Sequence, residues 1–256
     1  MSLLKPMTLG GDSKTNMSYE DVVKAWCSRE PKVPVFTGHF LLRLVSELNQ
    51  LEGIGVDYNR TRELFESESV SNYTGDVRDL YSVMNNKNVA EYLELEFAKK
   101  SPVTVPLILE VHKLIMFGSL DNHRYKDNGE RAGTFKKHDY CVGRYDVGAS
   151  PEETPSLMQE LCELCNEDAD PLKLATTFHC FFQNIHPFAD GNGRVGRWLL
   201  NYLLVLKGHP PVIIPAYKKG EYYTCLEEFD RDEDFNRLYS FLRQCTVDSY
   251  KAWSRA

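Results

Sequence analysis

The chain has 256 residues, of which 42% are hydrophobic and 26% charged, and its formal net charge at pH 7 is −7. A soluble globular protein of this size can bury a substantial core in one large domain. The acidic balance argues against broad binding to nucleic acid or to an anionic membrane, because nothing would offset phosphate repulsion over a large surface.

The N-terminus, the apolar runs and the cysteines indicate the compartment. The chain begins without the charged and apolar regions of a signal peptide. Its longest apolar run, residues 198–208, is too short to span a bilayer and contains Asn201. Seven cysteines, an odd number, fit a reducing environment. We therefore expect a cytoplasmic protein that binds neither membranes nor nucleic acid.

Helical spacing of apolar residues dominates the first hundred residues. Residues 1–33 are interpreted as a loose, polar N-terminal segment. Residues 34–52 carry apolar side chains at helical spacing, and Gly53 follows as a natural C-cap. We therefore predict a group of N-terminal helices over residues 34–100.

Residues 101–256 are predicted to form the core of the fold, in one compact unit with the preceding helices. The β-branched and aromatic residues of 133–150 have no helical period and predict an irregular hairpin. Helices are predicted on both sides of it, over residues 102–120, 151–167, 170–185, 195–208 and 221–253. The expected fold class is all-α, a helical bundle with one short β-hairpin.

The segment HPFADGNGRVGR, residues 186–197, interrupts two helical patterns. A helix that restarts near Arg194 presents unpaired N–H groups and a partial positive charge, which attract phosphate. Gly191 and Gly193 would let an anion approach the backbone closely. Arg194 and Arg197 are three residues apart and can reach the same polyphosphate.

Three more polar residues of this segment add chemistry to the anion site. Asp190 offers the hard oxygen that Mg²⁺ prefers, and Asn192 offers an amide donor. His186 stands where a helix passes into the loop and could take a proton from a hydroxyl. Each residue alone has an ordinary structural explanation. No packing requirement, however, brings a base, a carboxylate, glycines and arginines together at one helix start.

Residues 186–197 match every specified position of the signature H-P-F-x-[DE]-G-N-G-R-x-x-R, so the chain resembles the Fic (Fic/Doc) family. Residues 132–143 resemble the hairpin of that family, called the flap, and residues 210–228 resemble its base-pocket segment. The resemblance covers roughly residues 34–250. It implies a helical core and AMPylation, the transfer of AMP from MgATP to a Ser, Thr or Tyr hydroxyl of a target protein.

The resemblance assigns a role to each residue of the signature. His186 would be the general base, and Asp190 would hold Mg²⁺. The phosphates would be bound by the glycines, asparagine and arginines of the motif: Gly191, Asn192, Gly193, Arg194 and Arg197. Arg194 would bind the β-phosphate and Arg197 the γ-phosphate, so that pyrophosphate leaves and AMP stays on the target.

Two further segments would bind the substrates. Residues 136–147 of the flap would pair through the main chain with the target, and the candidates are Lys136, Lys137, His138, Asp139, Tyr140, Cys141 and Val142. The apolar walls for adenine would be Tyr222, Tyr223 and Leu226. An ordinary surface hairpin and ordinary core aromatics are the alternatives.

Residues 48–55 resemble the inhibitory motif [ST]-x-x-x-E-[GN] of one subclass of the family. Glu52 and Gly53 match, whereas Leu48 replaces the hydroxyl residue. A Glu52 carboxylate paired with Arg197 would occupy the group that holds the γ-phosphate, so we predict autoinhibition. The alternative is that Glu52 merely ends a helix in solvent.

Other activities stay open at this point. A Doc-like phosphotransferase is one, although those relatives carry Lys where this chain has Gly193. An enzyme that also removes AMP, and a non-catalytic ATP-binding interaction protein, are the others. The partners would be ATP and a target protein, this chain itself included, and homo-oligomerisation is open. The Cys162 and Cys165 pair is interpreted as buried and structural, because no second ligand pair accompanies it.

Overall fold

The computed structural model describes residues 17–28, 35–140 and 148–253. Ten α-helices lie in these ranges: α1 (Tyr19–Cys27), α2 (Gly38–Leu51), α3 (Tyr58–Ser67), α4 (Val77–Ala98), α5 (Val105–Ile115), α6 (Thr154–Leu164), α7 (Pro171–Ile185), α8 (Asn192–Leu206), α9 (Lys219–Asp232) and α10 (Asn236–Trp253). A π-helical turn, His123–Asp127, and a 3₁₀ turn, Ala216–Lys218, complete them. The prediction of an all-α fold is confirmed.

Helix α1 corrects the interpretation of residues 1–33 as a loose segment. Ser18 caps this helix in a reciprocal capping box with Asp21. Val22 and Trp26 are buried on one face, and Val22 packs in a small cluster with Val247 on α10. The polar composition around the helix concealed these two buried positions. The other residues of the segment lie outside the described part of the chain.

The hairpin predicted over residues 133–150 has no strand in its described parts. Residues 133–140 and 148–150 consist of turns, bends and irregular backbone, and residues 141–147 lie outside the described ranges. Glu130, which is 2% exposed, accepts hydrogen bonds from the Lys137 amide and the Tyr140 hydroxyl. These side-chain contacts organise residues 130–140 without a strand ladder.

Helix α8 is central to the fold, with 13 of its 15 residues buried. It packs closely against α7 because residue 196 is glycine: a β-carbon there would lie 2.3 Å from Gln183 Nε2 and 3.0 Å from the Phe182 ring. One hydrophobic core reaches from Trp26 to Cys245 and joins the N-terminal helices to the rest. The α7–α8 pair carries the signature segment, so the core itself positions the site.

The structure also bears on the expectations for membrane-spanning helices and for the Cys162 and Cys165 pair. No helix in the described ranges is both long and apolar enough to span a membrane. Cys162 and Cys165 are each 5% exposed, and burial raises the pKa of their thiols to about 11 and about 12. Both therefore behave as small buried hydrophobic residues, as the sequence predicted.

Candidate active site

His186 is the C-cap of α7 and adopts a left-handed conformation, with φ of 52°. Its amide still donates to the Phe182 carbonyl at 3.1 Å, so the imidazole is carried by the end of a buried helix. The chain segment after the flap lies against the same turn, because the Ala149 amide donates to the Ile185 carbonyl at 3.0 Å. A β-carbon on Gly148 would lie 2.8 Å from His186 Cβ, so the neighbouring backbone approaches the base closely.

The loop after His186 is closed by the Asn192 side chain. Its Oδ1 accepts from the Phe188 amide at 2.9 Å, and its Nδ2 donates to the Phe188 carbonyl at 2.7 Å. The oxygen and one of the two N–H donors of the Asn192 amide are thus used inside the loop, and phosphate binding by the second N–H stays a prediction. The residue still contributes a backbone N–H to the start of α8.

His112 positions the same loop from α5, which the sequence did not indicate. The Gly133 amide donates to His112 Nδ1 at 3.0 Å, so Nε2 carries the proton and donates to the Asp190 carbonyl at 3.2 Å. The imidazole stacks on Phe188 with ring centroids 3.7 Å apart. Burial lowers the pKa of His112 to about 3, and the ring is therefore neutral at physiological pH.

The Asp190 carboxylate faces two guanidinium groups and remains 38% exposed. Its Oδ2 lies 3.6 Å from Arg124 Nη1, and its Oδ1 lies 3.7 Å from Arg194 Nη2. The Gly191 amide also donates to Oδ1, at 2.6 Å. No cluster of three or more His, Cys, Asp or Glu that could hold a metal occurs in the described ranges. A Mg²⁺ ion here would have one protein carboxylate and would take its other ligands from phosphate and water, which is an ordinary arrangement for this ion.

The N-cap of α8 is Gly191, which has a left-handed conformation with φ of 81°. A β-carbon at that position would lie 2.7 Å from Met116 Sδ, so a side chain is excluded on steric grounds as well. Arg194, 7% exposed, extends from the first turn toward Ser82 and Met116, with Nη1 3.4 Å from Ser82 Oγ. The N-terminus of α8 therefore combines the backbone N–H groups of its first turn with the fixed guanidinium of Arg194.

Arg197 and Glu52 form an ion pair in which Arg197 Nη2 donates to Glu52 Oε1. The Arg197 side chain is 2% exposed and the Glu52 side chain 27%. Burial alone would raise the pKa of Glu52, but the Arg197 guanidinium, assisted by Arg194 and Lys219, outweighs it and lowers that pKa. Glu52 is therefore ionised and sits against the guanidinium for which the γ-phosphate was expected.

The two arginines keep buried N–H groups that have no hydrogen-bond partner in the described part of the chain. These are Nε of Arg194, and Nε and Nη1 of Arg197. Buried donors in folded proteins are nearly always satisfied, so such groups call for an explanation. An anion with several oxygens at the start of α8 would satisfy them.

The C-terminal end of α2, which carries Glu52, is fixed by a buried polar network. Asn49 Oδ1 accepts from Asn86 Nδ2 at 3.3 Å and from Ser82 Oγ at 3.5 Å, while Trp198 donates to Asn86 Oδ1 at 2.6 Å. Leu48, at the hydroxyl position of the inhibitory motif, is 3% exposed and belongs to the core. Asn49 thus supplies the polar anchor that residue 48 does not.

The predicted adenine-binding residues of α9 have different environments. Tyr222 is fully buried, and its hydroxyl donates to His179 Nε2 at 2.8 Å, because His179 Nδ1 donates to the Gly196 carbonyl. Leu226 is 8% exposed and Tyr223 is 36% exposed. Tyr222 therefore belongs to the core beneath Arg197. Tyr223 is the most accessible of the three, and adenine binding stays a prediction.

The flap residues divide in a similar way. Lys136 is 3% exposed and its amide donates to the Pro187 carbonyl at 2.9 Å, so its N–H is already used within the chain. Lys137, His138 and Asp139 are exposed and Tyr140 is partly buried. Cys141 and Val142 lie outside the described residues. Target pairing at the flap remains a prediction for the others.

The sequence of the chain is similar to that of known proteins. The model of the Fic/DOC family matches residues 102–204. A protein of Drosophila erecta called protein adenylyltransferase Fic is 29% identical over 201 residues, and the Drosophila melanogaster protein of that name is 28% identical. In both cases the match covers 77% of this chain and 38% of the relative, so the chain spans well under half the length of these relatives.

Solved structures share the fold over nearly the whole chain. A Fic-domain-containing signalling protein from Bacteroides thetaiotaomicron superposes with a TM-score of 0.78 at 25% identity, covering 93% of this chain and 95% of the other. Fic-1 of Caenorhabditis elegans, residues 134–508, gives a TM-score of 0.76 at 22% identity, covering 92% and 69%. The match of residues 102–204 to the Fic/DOC family model therefore lies within a fold that these solved structures share.

Proposed function

We propose that the protein transfers AMP from MgATP to a hydroxyl group of a target protein, and that Glu52 restrains this activity. The observation that carries the proposal is the set of buried N–H donors without a partner among the described residues on Arg194 and Arg197, which lie in the first turns of α8, one turn after the Asp190 carboxylate. The names of the Drosophila relatives support the same reaction class.

Each residue of the signature segment would have its own role in the reaction. His186 would take the proton of the acceptor hydroxyl, whose oxygen forms a bond to the α-phosphorus while the bond to the bridging oxygen breaks and pyrophosphate leaves. The backbone N–H groups of residues 192 and 193 would stabilise the charge that develops on the α-phosphate, since the Gly191 amide already donates to Asp190. Arg194 and Arg197 would hold the β- and γ-phosphates, which positions the leaving group.

Asp190 is the residue that would hold Mg²⁺, since its carboxylate is partly exposed and lies among the phosphate-binding groups. The ion would neutralise phosphate charge next to Arg194. His112 fixes the backbone of Asp190 through the carbonyl, so the carboxylate is carried by a rigid loop.

Glu52 supports autoinhibition because it already satisfies one donor of Arg197 with a full charge. A γ-phosphate would have to displace this carboxylate or bind elsewhere. If it bound elsewhere, the α-phosphorus of ATP would be badly aligned with the acceptor hydroxyl. A difference of about 1.4 kcal/mol between the two arrangements would reduce the competent fraction about tenfold.

Labelling with [α-³²P]ATP tests the reaction class. Glu52→Gly should label itself or added proteins at least tenfold faster than the parent, and Glu66→Gly, an exposed acid near the end of α3, should match the parent. Glu52→Gly combined with His186→Ala should not label. Equal labelling with and without His186 would contradict the assignment of the base.

Experiments on the same protein samples distinguish the alternative activities. Label arriving from [γ-³²P]ATP and not from [α-³²P]ATP would indicate a Doc-like phosphotransferase. Doc-like relatives carry Lys where this chain has Gly193, which favours AMP transfer, and a β-carbon there would lie 2.7 Å from Glu52 Oε1, so a Lys would require the carboxylate to shift. Loss of AMP from a modified target on adding the parent protein would indicate the dual activity. Binding of ATP without any modified protein in intact-mass measurements would indicate an interaction protein.

A further inference from the structure

A groove with a volume of about 560 Å³ lies between α6 and α7. Its lining residues precede His186 in the chain, whereas the proposed phosphate-binding residues follow it. Ile185, the last residue of α7, lines the groove, and the next residue in the chain is His186. Ala149 also lines the groove, and its amide donates to the Ile185 carbonyl. A peptide lying in the groove would therefore contact the residue that directly precedes the proposed base.

The walls of the groove are apolar. Leu157, Leu161 and Leu164 of α6 face Phe181 of α7 across it. Phe181 is 39% exposed, and its ring meets Phe229 edge-on with centroids 5.1 Å apart at 89°. An exposed aromatic side chain held in place by a second ring is a typical anchor for a partner side chain.

The charges at the groove have one sign. Glu153 and Glu160 line it, and its described lining residues include no Lys, Arg or His. Glu153 Oε2 accepts from Ser150 Oγ at 2.7 Å, which fixes the carboxylate at the entrance of α6 while leaving lone pairs for another donor. Such a groove favours a partner that brings both an apolar side chain and a cation.

We infer that this groove binds the target segment next to the acceptor hydroxyl, and that it selects a segment with an apolar side chain flanked by Lys or Arg. The inference rests on the proposed function and adds the substrate class. Helix α6 extends about 15 Å along the groove at 1.5 Å per residue. An extended peptide covers that length with about four or five residues. The selected side chains thus lie within a few positions of the modified hydroxyl.

Fluorescence polarisation without nucleotide tests the groove independently of catalysis. The probes are two pools of fluorescein-labelled ten-residue peptides, each peptide having one central Thr and one Leu. One pool carries two Lys residues at varied positions and the other two Asp residues. The Lys pool should bind the full chain at least fivefold more tightly than the Asp pool. Because no ATP is present, this result does not depend on whether AMP transfer occurs.

Matched variants assign the preference to the groove. Glu160→Lys should abolish the preference for the Lys pool, whereas Glu163→Lys, the same charge change on an exposed position of α6 outside the lining, should retain it. Phe181→Ser should weaken the binding of the Lys pool at least fivefold, and Phe117→Ser, which changes an exposed ring elsewhere, should not. Melting temperatures of all four variants check that they are folded.

Three results would overturn the inference. The first is equal binding of the two pools, and the second is an equal effect of Glu160→Lys and Glu163→Lys. The third is a dimer of the parent protein in sedimentation that the Phe181→Ser variant alone dissociates, since the groove would then belong to a second copy of this chain.

Discussion

Gly193 lies directly against Glu52, so that a β-carbon on residue 193 would be 2.7 Å from Glu52 Oε1 and 3.1 Å from Arg197 Nη1. The absence of a side chain at this one position lets the carboxylate reach the guanidinium. The same glycine belongs to the proposed phosphate-binding turn, so the proposed inhibition and the proposed nucleotide binding would use the same space. The group that fills that space would decide which of the two occurs.

The first prediction concerns this contact. Gly193→Ala should lower the free energy of unfolding by about 1–3 kcal/mol, because the added methyl group is overpacked against the ion pair. Gly220→Ala, which meets open space in α9, should instead raise it by about 0.5–1 kcal/mol. Urea denaturation measures both. In the Glu52→Gly background the cost of Gly193→Ala should largely disappear, and a cost that persists would contradict the contact.

The second prediction is a pH dependence of stability. The pKa of Glu52 is lowered by Arg197 from its ordinary value of 4.5, so the pair contributes stability that is fully present above that pH. This contribution is lost as the pH falls through the lower pKa of the folded state. The difference in melting temperature between the parent and Glu52→Gln should therefore shrink below about pH 4.5. Glu66→Gln serves as the control, and a difference that is constant from pH 7 to pH 3 would refute the prediction.

The third prediction concerns the anchor of α2. Asn49→Leu should destabilise the protein by about 1–3 kcal/mol, because it leaves buried donors on α4 without their acceptor. It should also raise the rate of AMP transfer, since Glu52 then loses its fixed position. Asn85→Leu removes a comparable buried amide of α4 that donates to the Ile115 and Phe117 carbonyls instead of to Asn49 of α2. Labelling and denaturation should show activation in the first variant only.

The fourth prediction concerns the cation beside Asp190. Arg124→Gln removes a positive charge 3.6 Å from the carboxylate, so Mg²⁺ should bind about tenfold more tightly. Titration of Mg²⁺ against the melting temperature at fixed ADP measures this without turnover. Arg131→Gln is the control, because Arg131 lies over the Tyr125 ring and donates to backbone carbonyls instead. Unchanged Mg²⁺ affinity in Arg124→Gln would show that this guanidinium does not compete with the ion.

The parts of the site that the sequence predicted are those encoded by local spacing. Residues 186–197 could be identified because a loop and a helix start bring them together without any knowledge of the rest of the fold. The pairing of Glu52 with Arg197 spans 145 positions and was predicted only through the resemblance of residues 48–55 to an inhibitory motif. The all-α class followed from the apolar periodicity along most of the chain.

The parts that could not be predicted depend on tertiary packing. His112 has ordinary helical neighbours in α5, and only the fold brings its imidazole to the Asp190 carbonyl. The role of Asn49 depends in the same way on the approach of α4 to α2. The use of the Asn192 oxygen and of one of its amide N–H groups to close the turn at Phe188 also became visible only in the fold. Helix α1 was missed because two buried residues are a weak pattern in a polar segment.

The position of His186 at the very end of α7 has a consequence for how the proposed activity would be controlled. Because α7 packs against α8, the proposed base and both arginines are carried by two helices of the same core. A regulator that shifted the histidine would also have to disturb that core. Glu52, by contrast, is the C-cap of α2 and is held by its ion pair with Arg197. Activating signals should therefore act by moving the end of α2 away from Arg197, while α7 and α8 keep their positions.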